Sequence, residues 1–119
     1  MDYYQHLKIE MSDYTDYMEE MFFNHISSIK EQIYDSKRWI GDYLSKRKGY
    51  PNWVTRDGQS IPVSEVTDNH LENLLNYIPK DNVWHRVFSC EKYYRELMKK
   101  IPELEKEDKY NDEIMNTVY

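Results

Sequence analysis

From Ser12 to Arg47 the apolar residues recur at helical spacing: Tyr14, Met18, Met21/Phe22, Ile26, Ile29, Ile33, Trp39/Ile40 and Tyr43/Leu44. Steps of three and four gather them on one face of an α-helix, while Glu19, Glu20, Lys30, Glu31, Lys37 and Arg38 mostly fall off it. Ser12 or Asp13 supplies a cap, and no Pro or Gly interrupts the chain before Gly41. Lys46-Arg47-Lys48-Gly49 makes a good end, with cations at the negative pole and a glycine just beyond. The pattern predicts one long helix over 12–47, with Gly41 as the place where it would fray or break. A helix of roughly 30 residues spans ~45 Å, more than the ~30 Å diameter expected of a compact domain this size. Its far end would carry Tyr14, Tyr17, Met18, Met21, Phe22 and Phe23, too apolar a set to leave in water. A symmetric homodimer through the N-terminal helix is the expected remedy.

The next segment is punctuated differently. Trp53-Val54-Thr55-Arg56 and Gln59-Ser60-Ile61-Pro62-Val63 flank Asp57-Gly58, which predicts a β-hairpin over about 53–63. A type I′ turn would need positive φ at both Asp57 and Gly58. A helix over 67–78 should follow, capped by Thr67, with Asp68 at its positive end and Val66 and Leu71 spaced as a hydrophobic staple. Pro79 stops it. Asp81 can cap a third helix over 81–101, where Trp84, Val87/Phe88, Tyr94, Leu97/Met98 and Ile101 repeat at helical spacing up to Pro102. Residues 103–119 are acidic, with weaker apolar positions, and read as a short C-terminal helix or a frayed tail. The expected fold is a single predominantly α domain of the α+β class: a long N-terminal helix, one hairpin, then two or three shorter helices. A lone hairpin is marginal in water, so it should pack on a helix.

Charge and aromatic content narrow the function. The net charge is −6, with acidic ends and a mildly basic stretch over 24–48. Twelve Tyr, three Trp and three Phe are too many for a disordered acidic segment. A chain of 119 residues struggles to bury eighteen such rings, so some should lie on the surface, where Tyr favours protein partners. Cys90 is the lone cysteine, which excludes an intrachain disulfide and fits a reducing compartment. The acidic start MDYYQHLKIEM lacks the apolar core of a secretory signal, and no apolar run approaches the ~18 residues of a membrane span. A cytoplasmic protein without membrane attachment is expected.

Catalytic groupings are sparse. His85 and Cys90 are five apart and off one helical face, with no CxxC or HxxxH nearby, so neither a metal site nor a cofactor is expected. A lone Cys on an apolar stripe is better read as a small buried hydrophobe than as a nucleophile. Turn and cap roles already account for Asp57 and Asp68. His70 and Asn73, three apart on one helix face, tie the helix start to the hairpin through hydrogen bonds or else face a ligand. Lys46, Arg47 and Lys48 with Tyr50, Trp53 and Arg56 form the one segment where cations and aromatics interleave, a pattern that grips single strands by phosphate contact and stacking.

Trp53, Asp57-Gly58, Ile61, Val63 and the Thr67-Asp68-x-His70-Leu71-x-Asn73 run resemble a motif of small uncharacterised phage-encoded proteins. That motif is a Trp strand, a Gly turn, an Ile-x-Ile/Val strand and Met-Thr-(Asp/Asn)-x-His-Leu-x-Asn; Val66 stands where it usually has Met. The resemblance covers residues 53–78, implies a phage or mobile-element origin and brings no activity with it. Taken together, the residues predict a non-enzymatic phage protein that inhibits a host target such as a nucleic-acid-binding defence enzyme, as an anti-CRISPR or takeover factor. The alternative is a small nucleic-acid-associated regulator using the 46–56 segment.

Overall fold

A computed structural model describes the backbone of residues 3–118 and the side chains of residues 18–117. Helix α1 spans Tyr3–Arg47, strands β1 and β2 span Trp53–Val54 and Ser60–Ile61, and a 3-10 turn covers Val63–Glu65. Helices α2 (Asp68–Tyr77) and α3 (Val83–Val118) complete the chain. The fold is α-rich α+β, with a long N-terminal helix and one antiparallel hairpin.

Both long helices outrun their expected limits. α1 is 45 residues long; it runs through Ser12 and Asp13, so neither caps it, and through Gly41. A helical glycine costs only about 1 kcal/mol, which the cooperative turns on either side of Gly41 outweigh. The helix stops at the expected basic run, where Lys48 donates its N–H to the Leu44 carbonyl and Gly49 to that of Lys46. α3 likewise passes through Pro102, so residues 83–118 form one helix, not a helix to 101 with a separate segment beyond. Proline brings no N–H to the ladder, so the carbonyl one turn earlier, at Met98, lacks its usual helical donor. Asn82 rather than Asp81 caps α3: its Oδ1 accepts the Trp84 N–H at 2.8 Å.

Contacts divide the chain into two compact units, where a single domain is expected from the sequence: residues 35–103 form one, residues 1–34 with 104–119 the other. In the 35–103 unit the core is Val63, Val66, Leu71, Leu74, Ile78 and Phe88. The hairpin does pack on a helix. Trp53 sets its ring edge-on to Trp84 and Phe88 of α3, at centroid distances of 5.2 and 5.4 Å. Its register pairs Trp53 with Ile61 and Val54 with Ser60, leaving Arg56-Asp57-Gly58 as a three-residue loop between Thr55 and Gln59.

The turn is not type I′. Gly58 has φ +82°, and no non-glycine residue among those described has positive φ, so Asp57 stays in ordinary conformational space. Gly58 donates to the Thr55 carbonyl at 2.9 Å, and Thr55 in turn donates its N–H to the Gln59 carbonyl at 2.8 Å. This is a three-residue hairpin loop with a single left-handed glycine, the bulged alternative to the two-residue turn.

The start of α2 is as expected. Thr67 Oγ1 accepts the His70 N–H at 3.2 Å, and Val66 and Leu71 are both buried in the same core as a staple.

In the other unit Ile26, Ile29, Leu104 and Asn111 are buried. Lys30 lies 2.8 Å from Asp108 and 3.2 Å from Asp112, and His25 lies 2.9 Å from Glu107. Met18, Met21 and Phe23 keep 46%, 49% and 40% of their surface exposed. Tyr14 and Tyr17, which the sequence places in the same apolar cluster, lie outside the described side chains.

Candidate functional site

The most constrained polar group in the 35–103 unit is Glu91, which is 1% exposed. A carboxylate reaches such burial only when its lone pairs are matched, and here three side chains do so. Tyr43, itself 3% exposed, donates its hydroxyl to Glu91 Oε2 at 2.5 Å. Arg47 Nη1 reaches both carboxylate oxygens at 3.2 and 3.3 Å, and Arg95 Nε donates to Oε1 at 3.1 Å. Arg95 continues outward, donating to Asp68 at 2.8 Å and to the Val66 carbonyl at 2.6 Å. Arg47 also stands 4.9 Å from the centroid of the Tyr94 ring, a cation–π distance.

One carboxylate thus ties the end of α1 and the first half of α3 to the entry of α2. Burial, together with the Glu91 hydrogen bond and charge, raises the Tyr43 hydroxyl far above its ordinary pKa. Arg95 holds the Asp68 carboxyl below the usual carboxylate value.

Two clefts share Tyr50 in their linings. The first, about 430 Å³, is lined by Arg47, Lys48, Tyr50, Asn52 and Ser64 over apolar Leu44 and Val63. The second, about 330 Å³, is lined by Trp39, Asp42, Tyr43, Lys46, Tyr50, Arg86 and Cys90 together with Val83 and Val87. Trp39 stacks on Tyr43 at 5.2 Å and meets the edge of Tyr93 at 4.6 Å, so the aromatic wall is braced from behind.

Of the residues expected to grip a nucleic-acid strand, Lys46, Arg47, Lys48 and Tyr50 do come together around these clefts. Trp53 does not join them, because its ring is packed into the hairpin core. Arg56 lies in the exposed hairpin loop and lines neither cleft. Arg47 is largely committed to Glu91.

The motif residues are structural in their placement. Asp57 and Gly58 form the loop, Thr67 the cap and Leu71 the core, while Asp68 pairs with Arg95. His70 contributes its backbone N–H to the cap; neither its ring nor the exposed Asn73 side chain bonds the hairpin among the described residues. His85 shares its Nδ1 with the Ser89 hydroxyl at 3.4 Å. Cys90 is half-buried at the second cleft, where the sequence reading expects a buried hydrophobe. Among the described residues no three His, Cys, Asp or Glu side chains group as metal ligands.

Sequence reasoning missed Trp39, Asp42, Arg86 and Glu91. The one available signal was a charged residue at position 91, on the apolar face of α3 that also carries Phe88. Comparison with known proteins returns no family model, no curated protein and no solved structure that matches the chain. No helix among the described residues is long and apolar enough to cross a membrane.

Proposed function

We propose that this chain is a phage-encoded, non-enzymatic binding protein that occupies a basic, nucleic-acid-handling surface of a host protein inside the host cell. The target class that fits is a defence enzyme such as a CRISPR effector. The observation that carries the reading is how charge and apolar surface are distributed. The 1–34/104–119 unit has twelve acids against four basic residues, whereas the 35–103 unit has ten against twelve. The acidic unit also exposes Met18, Met21 and Phe23. An acidic unit that also exposes apolar side chains matches a surface built for phosphates, with steering by charge and affinity from the apolar contacts. The resemblance of residues 53–78 to phage proteins is what supports a phage origin.

The test is affinity capture from host lysate with the wild-type chain beside a Met21→Asp/Phe23→Asp variant. A basic protein should be retained by the wild type, released as salt rises, displaced by added nucleic acid and lost with the variant. Retention of nucleic acid with no protein, or equal capture by both baits, overturns the reading. The same exposed side chains are where a second copy would pack, and the mass of the free chain separates that homodimer from a hetero-complex.

A further inference from the structure

We infer that the cleft walled by Trp39, Asp42, Lys46, Tyr50, Arg86 and Cys90 is a binding site for a nucleotide, a flat base carrying a phosphate. The proposal is independent of the protein-docking reading, because it uses none of the acidic unit. Three features of the cleft converge on this chemistry.

Its size, about 330 Å³, falls at the small end of ligand pockets, which run from ~300 to 1,000 Å³. That is room for one nucleotide. Its lining includes the half-buried rings of Trp39 and Tyr50 beside Val83 and Val87, and base–aromatic stacking is worth about 1–3 kcal/mol per base. Trp39 is held in place by Tyr43 and Tyr93, so it need not be ordered at the moment of binding.

Its charges are arranged for an amphoteric ligand. Lys46 and Arg86 line the cleft without an ion pair among the described residues, in contrast to Arg47 and Arg95, which are both engaged by Glu91. Two free cations suit a phosphate. Asp42, the one acid of the lining, is placed to accept an exocyclic amino group or a ribose hydroxyl instead.

A free mononucleotide and one residue of a single strand present the same chemistry. Tyr50 belongs to both clefts, so a strand would set a second nucleotide beyond that ring, toward Lys48, Asn52 and Ser64.

Cys90 supplies the measurement, since it lines the cleft and no other cysteine exists in the chain. Alkylation of Cys90 by N-ethylmaleimide is followed by mass spectrometry in the presence of AMP, adenosine, inorganic phosphate or a single-stranded oligoadenylate. At ten times its Kd, a ligand filling the site should slow the reaction about tenfold. Protection is expected from AMP or from the oligoadenylate; the oligoadenylate alone would assign the site to a strand. Phosphate by itself should protect little.

A Lys46→Glu/Arg86→Glu variant should keep its helical circular dichroism yet lose the protection, each alkylation rate being compared with the same variant's rate without ligand because the charge reversal itself slows the thiolate. An alkylation rate unchanged by AMP and oligoadenylate, protection by phosphate equal to that by AMP, or protection that survives the charge reversal would each overturn the proposal. Should the double variant fail to fold, Tyr50→Leu serves in its place, with the same loss expected.

Discussion

Glu91 shows how one residue sets the chemistry around it. Two guanidinium groups and a tyrosine hydroxyl converge on a carboxylate with almost no access to water. In that setting Tyr43 can donate only while protonated, and burial makes its anion still less favourable. The consequence for stability has a definite sign. The folded-state value lies above the ordinary 10.0, so the contribution of Tyr43 is fully present below pH 10 and is lost as pH rises beyond it.

Tyr43→Phe is therefore expected to cost about 2 kcal/mol near neutral pH, the worth of a hydrogen bond to a charged group. The gap between wild type and variant should narrow above pH 10. Urea unfolding at a series of alkaline pH values reads both effects; a gap that stays constant would mean the hydroxyl is not the proton-linked group.

At the scale of elements, the hairpin and α3 each turn on one backbone position. Gly58 holds φ +82° with open space where a Cβ would stand, so Gly58→Ala meets no clash and pays only for left-handed backbone, about 1 kcal/mol. The midpoint of chemical unfolding should fall accordingly, and Asp57→Ala, at ordinary φ, should fall less. A type I′ turn would instead penalise changes at both positions.

Pro102 is the reverse case. It is exposed and stands inside a 36-residue helix, so Pro102→Ala restores a backbone hydrogen bond without emptying any core. The variant is expected to gain stability, up to about 3 kcal/mol, along with helical circular dichroism. A loss would show that the proline's own contacts matter.

For the whole molecule the open issue is how the chain covers its exposed methionines and phenylalanine. Met18, Met21 and Phe23 all lie in the unit of residues 1–34 and 104–119. Acidic residues crowd the same unit and oppose self-association at low salt. If the apolar face pairs with a copy of itself, light scattering at micromolar concentration should give twice the 14.7 kDa chain mass, and Met21→Asp/Phe23→Asp should halve it. A mass near 14.7 kDa for the wild type leaves that face to a different partner.

The sequence by itself determined what rests on local physics. Helical periodicity located α1, α2 and the first part of α3; Thr67, Val66 and Leu71 declared the start of α2; the basic run marked the end of α1; and Asp57-Gly58 located the hairpin. Each of these depends on neighbours within a few residues, which the chain order displays directly. The tertiary structure decided matters in which a local preference was outweighed. Gly41 and Pro102 lower helix propensity, but long cooperative runs on both sides carry the helices through them. The turn type followed from the register, which sets Trp53 opposite Ile61 with both against the core and so leaves three loop residues rather than two. Only the folded chain brings Trp39, Lys46, Tyr50 and Arg86 around one cleft, or aims Tyr43, Arg47 and Arg95 at Glu91. Contacts between residues some fifty positions apart leave no periodic trace in a single sequence, so the candidate site was hidden where the helices were plain.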